Sequence, residues 1–145
     1  MDDASLFLAR FAGGATGSFE ATRLAAGHKN GHTFEINGSM GSIRFHMERM
    51  TELEFYDSTE PADRQGFRTI VLGHPAHPYG GVWWPTGHNI GYEHSFIHEV
   101  RELMEALVER REPMPSFLDG LCCQLVLEAV EESIRSECWT RVARA

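Results

Sequence analysis

The residues of this chain whose types and spacing admit chemistry are its histidines, a glycine cluster and an aromatic-rich loop. His94 and His98 stand four apart, a helical spacing that turns two imidazoles to one face, as zinc ligands require. In the zinc-protease helix motif a glutamate directly follows the first histidine. Here Ser95 holds that place and Glu99 follows the second histidine, so the motif is not formed. His74-Pro75-Ala76-His77 and His88 complete a cluster only if their loop folds back. These side chains are therefore read as surface or hydrogen-bonding histidines, and no metal is assigned. Gly13-Gly14-Ala15-Thr16-Gly17 has the composition of a phosphate-cradling turn, but such a turn must open a helix. The residues after it, Ser18 to Thr22, alternate in twos, so the cluster reads as a hairpin turn with no dinucleotide site. Cys122 and Cys123 fall on or beside the apolar face of a helix and are assigned to packing rather than nucleophilic catalysis.

A further set holds Arg23, His28 and Asn30 around one turn, and Trp83, Trp84, His88, Asn89, Tyr92 and His94 in one long loop. Sugars and polyols are held by hydrogen-bond donors and acceptors over an aromatic platform, and these residue types supply both. The other reading is structural: Trp83 and Trp84 cover the edge of the core, and Arg23 pairs with a carboxylate on a neighbouring strand. Composition alone leaves the two readings open.

The elements that must position these groups change period near mid-chain. From Ser5 to Leu72 the sequence alternates, with strands over Gly17 to Leu24, Thr33 to Asn37, Ser42 to Met47, Thr51 to Tyr56 and Gly66 to Leu72. With the first strand these make six, mostly antiparallel. Gly73 to Gly91 has no period, and a loop of that length is functional or mobile. Beyond it the period is helical: Phe96, Val100, Leu103, Met104, Leu107 and Val108 make one stripe, and Leu118, Leu121, Cys122, Leu125, Val126, Ala129, Val130 and Ile134 make a second. Pro113 and Pro115 separate the helices, Ser116 caps the second, and Asp119 lies in its first turn. Trp139 to Val142 reads as a short closing strand. The sum is an α+β fold with two amphipathic helices on one face of an open sheet. The other face is expected to carry Phe, Ile, Leu or Ala at alternate positions and to meet a partner, either a second copy or a missing domain.

Length and charge narrow the class. The 145 residues fit one domain, residues 1–145, and the net charge of −8 opposes binding to phosphate backbones, so nucleic acid and anionic membrane are not expected partners. An apolar content of 42% is that of a folded chain. The three cysteines, two of them adjacent, suit reduced thiols without a disulfide. The start lacks a positively charged leader, and no apolar run nears the roughly 20 residues that cross a bilayer. A cytoplasmic location is expected.

Phe19-Glu20-Ala21-Thr22-Arg23, Asn30, Phe34 to Ser42 and Glu48 to Leu53, followed by Gly91 to Glu99, Pro115 to Leu121 and Gln124, resemble the C-terminal domain of the glucose–fructose oxidoreductase / inositol dehydrogenase / MocA-like family. The resemblance spans nearly the whole chain. It implies an NAD(P)-dependent oxidoreductase of sugars, inositols or related polyols. In such proteins an N-terminal Rossmann domain binds the nicotinamide, and the C-terminal domain walls the substrate pocket and makes the oligomer contact through its sheet. The family's glycine-rich fingerprint, its Glu-Lys-Pro segment and the Asp and His opening its second domain have no counterpart here. No catalytic or cofactor residue therefore carries over. NAD or NADP is implied for a full-length parent, this piece being a fragment that is inactive without its Rossmann domain. Arg23, His88, Tyr92 and His94 are the expected substrate-binding residues. A stand-alone, non-catalytic dimerising module is the alternative, and a small metal-dependent enzyme built on the histidines is a third reading.

Overall fold

The structure, a computed structural model, describes residues 3–145. The strands are β1 (Ala4–Arg10), β2 (Thr16–Thr22), β3 (Thr33–Asn37), β4 (Gly41–His46), β5 (Glu52–Asp57) and β6 (Arg68–Val71). The helices are α1 (Glu93–Glu109) and α2 (Phe117–Ser136). This is the α+β composition that the change of period predicts. The six strands form two antiparallel sheets rather than one, β1–β2 and β3–β4–β5–β6. The reason lies just after β2, where the Leu24 N–H donates to Thr22 Oγ1 at 3.0 Å and the Ala26 N–H to the Leu24 carbonyl at 2.8 Å. These local bonds consume donors that a continuing strand would give to a ladder, so β2 stops at Thr22 instead of Leu24.

The chain divides into two compact units, one comprising the residues up to Ala26 together with Glu102–Ala145, the other Gly27–Arg101. In the first, β1 and β2 form a hairpin in which Phe7 faces Phe19, the rings stacked 4.8 Å apart. Such a pair contributes about 0.5–1.5 kcal/mol beyond burial. Gly17 permits it, since a Cβ there would sit 2.9 Å from the Phe19 ring. The glycine cluster is the hairpin turn expected: the Phe11 N–H donates to the Ala15 carbonyl, and Gly14 takes φ +90°. α2 begins in a capping box, with Ser116 Oγ accepting the Leu118 N–H at 3.2 Å and Asp119 Oδ2 accepting the Ser116 N–H at 2.7 Å. Just past α1, Arg111 folds back on that helix, its guanidinium on Glu102 and Glu109.

Trp139 to Val142 do not form the predicted closing strand. After α2 the chain turns through a left-handed Glu137, and the Trp139 ring receives the Arg10 guanidinium at 4.5 Å, a side-chain contact in place of a backbone ladder. Cys122, Cys123 and Cys138 are free, as expected, but exposed rather than packed, which corrects the burial assigned to the first two.

In the second unit, period-two alternation sorts the four-stranded sheet into unlike faces. Phe34, Phe45, Leu53 and Ile70 run across one face beside Ile36, Ile43 and Phe55. Glu35, Arg44, Glu54 and Thr69 run across the other. The register thus sets most apolar positions of the four strands on one face and most charged ones on the other. Glu35 and Arg44 pair at 2.6 Å there, and Arg44 lies 3.8 Å over the Phe67 ring. Gly41 is required in β4, since a Cβ would stand 2.5 Å from the Tyr56 carbonyl oxygen.

Large apolar side chains remain uncovered. On α1, Phe96, Val100, Leu103, Met104, Leu107 and Val108 keep the expected spacing yet are all exposed, as are Phe34 and Ile36 on β3. The apolar side chains that are buried among the described residues are the small ones of Ala106 and Ala129.

Candidate functional site

The long loop leaves β6 and folds back on the start of α1 through consecutive turns: the His77 N–H donates to the His74 carbonyl, Gly80 to His77, and Val82 to Tyr79. Gly80 is buried and could be no other residue, because a Cβ would collide with the His74 carbonyl oxygen. Beside it Tyr79 adopts φ +59°, a left-handed conformation that costs a bulky residue energy and persists only when its surroundings hold it. Its ring is held on both sides. It stacks on His98 with centroids 4.1 Å apart, and the Arg101 guanidinium lies 5.2 Å from its centroid.

Trp83 reaches the same histidine. Its indole N–H donates to His98 Nε2 at 2.6 Å, and its ring meets His94 edge-on at 4.4 Å. A ring nitrogen that accepts carries no proton, so neutral His98 is protonated on Nδ1. Burial, then the neighbouring His94 and Arg101, push its pKa below the usual histidine value of 6.5. His94 is nearly covered, with 14% of its side chain exposed, and its Nδ1 accepts the Gly91 N–H at 3.0 Å. It therefore carries its proton on Nε2. The helical spacing of His94 and His98 serves Gly91 and Trp83, each ring having one nitrogen committed to the protein and not to a shared ion.

The expected site residues fall in different places. His88, Tyr92 and His94 lie on the loop and the helix start of the second unit, whereas Arg23 follows β2 in the first unit, exposed, with its backbone N–H on the Asp3 carbonyl. His88 Nδ1 lies 2.9 Å from the Pro85 carbonyl oxygen, which requires Nδ1–H and leaves Nε2 as an exposed acceptor. The Tyr92 ring stands edge-on to Phe96 at 5.2 Å, and the residue is 54% exposed. His88 and Tyr92 thus present an acceptor and a hydroxyl to solvent, while His94 is chiefly a framework residue. Tyr79 was missed: nothing in its sequence context marks a left-handed tyrosine. The mutual spacing of His94 and His98 was visible, but its purpose was not.

A second cluster lies in the same unit. Ligand-capable atoms of His28, His46 and Glu48 stand within 4.8 Å of one another. Two of the three already have lone pairs engaged: His46 Nδ1 accepts the Glu48 N–H at 3.1 Å, and Glu48 Oε1 accepts the N–H groups of Lys29 and Asn30. With Nδ1 accepting, neutral His46 holds its proton on Nε2, so the ring offers an ion no free lone pair. A shallow groove of roughly 230 Å³ beside it, between Thr33, Arg44, Arg49 and Glu54, is lined by side chains already paired, Arg44 with Glu35 and Arg49 with Glu52.

The described residues do not fit a nicotinamide dinucleotide. The glycine cluster enters β2 and not a helix, and the α1 start carries Glu93, whose carboxylate would repel a pyrophosphate.

Comparison with known proteins decides the family. The model of the oxidoreductase family's C-terminal alpha/beta domain, shared by glucose–fructose oxidoreductase, inositol dehydrogenase and MocA-like proteins, matches residues 2–142. The chain belongs to that family. Levoglucosan dehydrogenase of Pseudarthrobacter phenanthrenivorans is 45% identical over 143 residues, covering 98% of this chain and 36% of the relative. An oxidoreductase domain protein from Kribbella flavida superposes with a TM-score of 0.96 at 52% identity, over 99% of this chain and 37% of that one. Levoglucosan dehydrogenase in complex with NADH and levoglucosan gives a TM-score of 0.95 at 44% identity, over 99% and 39%. The chain thus spans little more than a third of the length of these relatives. In this oxidoreductase domain no helix among the described residues is long and apolar enough to cross a membrane.

Proposed function

We propose that this chain is the substrate-holding and subunit-contact domain of an NAD(P)-dependent sugar or polyol dehydrogenase. One observation carries the reading: 99% of the chain superposes on part of a dehydrogenase whose complex contains NADH and levoglucosan. The nicotinamide belongs to a Rossmann domain outside these residues. When bound there it accepts hydride from the substrate carbon, and this domain's own part is to bind and orient the sugar. His88 Nε2 accepts from a sugar hydroxyl, and the Tyr92 hydroxyl donates to another. His94 holds the wall behind them. The subunit contact falls on the apolar sheet face where Phe34 and Ile36 stand exposed, the latter by 58%.

The test is to express the protein with the nucleotide-binding half encoded upstream of Met1 and follow NAD(P)H absorbance over anhydrosugars, inositols and hexoses. Turnover of one class, with KM raised at least about tenfold by Tyr92→Phe or His88→Ala at little change in kcat, is the expected result. No turnover of any polyol, or an upstream frame that encodes no such half, overturns it. In sedimentation, Ile36→Glu should shift the protein toward a smaller species.

A further inference from the structure

We propose that His98 is the positioning residue of the long loop: its ring nitrogen holds the Trp83 indole, its ring face holds Tyr79, and the segment so fixed carries His88 and Tyr92.

Two independent contacts from one loop converge on a single imidazole, the 2.6 Å hydrogen bond from Trp83 and the 4.1 Å stack of Tyr79. Each answers a specific cost. The indole N–H is a donor only, and a partly buried one must find an acceptor. Tyr79 adopts its left-handed backbone at φ +59° and needs a contact to hold it there. His98 meets both needs only when neutral. With a second proton, both ring nitrogens become donors, and Nε2–H then faces the indole N–H at hydrogen-bond distance. The groups around the ring are Tyr79 and Trp83 from the loop, and His94 and Arg101 from its own helix. The two helical groups oppose a further positive charge, and burial acts in the same direction, so the ring stays neutral and accepting at neutral pH. That the loop presents substrate-facing groups rests on the function proposed above; the His98–Trp83 device does not.

The experiment follows the indole N–H resonances of the three tryptophans in the intact chain by proton–nitrogen correlation, with Trp83 assigned through Trp83→Phe. At pH 8 the Trp83 indole should exchange at least about tenfold more slowly than that of the exposed Trp84. Lowering the pH should remove that protection in step with the titration of the His98 ring. His98→Gln supplies a side-chain oxygen that accepts without titrating, so protection should persist and lose its pH dependence. His98→Phe keeps a ring face but no acceptor and should abolish protection at every pH. A Trp83 indole exchanging as fast as that of Trp84 at pH 8, or the same pH response in His98→Gln as in the unsubstituted chain, overturns the proposal. Should the variants fail to fold, the titration of the unsubstituted chain still decides it. No substrate enters the measurement, so failure of the sugar reading would leave its outcome unchanged.

Discussion

The Glu48 carboxylate clasps the backbone of Asn30, accepting its N–H at 2.8 Å and that of Lys29 at 2.5 Å through the same oxygen. A residue just past β4 thereby ties down a loop that lies before β3. The two backbone donors, first Asn30 and then Lys29, hold the carboxyl below the ordinary glutamate value of 4.5.

Acid should open this clasp. A depressed folded pKa contributes stability that is complete above the unfolded value and is lost as pH falls through the folded one. The Lys29 and Asn30 amides should therefore stay protected from exchange at pH 6 and lose protection well below pH 4.5, where the ordinary glutamate midpoint lies. Glu48→Gln should show weaker protection at pH 6 and no such transition. Equal amide exchange in the two proteins at pH 6 would show that the carboxylate is not the clasp.

Zinc should find no seat between His28, His46 and Glu48. Adding one equivalent of zinc chloride at pH 7 should leave the Lys29, Asn30 and Glu48 amide resonances in place. Displacement of all three, at micromolar affinity, would mean that the internal hydrogen bonds yield to the ion.

Two glycines should respond oppositely to alanine. Gly13→Ala meets open space and should change stability by no more than about 0.5 kcal/mol. Gly80→Ala drives a Cβ into the His74 carbonyl and should cost about 1–3 kcal/mol. Urea midpoints measure both, and equal values for the two variants would contradict the close approach at Gly80.

Ser116→Ala removes the side-chain acceptor of the α2 capping box and should destabilise the protein by about 1 kcal/mol, whereas Ser116→Thr keeps most of it. The Leu118 amide should exchange faster in the alanine variant only. An unchanged unfolding midpoint for Ser116→Ala would indicate that water replaces the cap.

Arg111→Lys should not substitute for arginine. The guanidinium reaches Glu102 and Glu109 from different nitrogens, and a single ammonium cannot span both. Its own pKa is raised, chiefly by Glu102 and then Glu109. The Met114 amide, which donates to Glu102 Oε1 at 3.2 Å, should exchange faster in Arg111→Lys, nearly as fast as in Arg111→Met. Behaviour identical to the unsubstituted protein would show that charge alone matters.

The alternation of Phe34, Ile36, Ile43, Phe45, Leu53 and Phe55 determined strands and their facing, because side-chain direction in a strand depends only on position parity. The stripe of Phe96 to Val108, the cap at Ser116 and the hairpin turn at Gly13 to Gly17 were legible for the same reason: each is a short-range relation between neighbours along the chain. So was the family likeness, carried by residue order over the whole length. Tertiary structure alone decided the division into two sheets, the left-handed Tyr79 and the single imidazole shared by Tyr79 and Trp83. Tyr79 lies nineteen residues from His98 and Trp83 fifteen, and no local propensity specifies which ring a loop meets on returning. That choice belongs to close packing and to the need of each covered donor for an acceptor, and both exist only once the chain has folded.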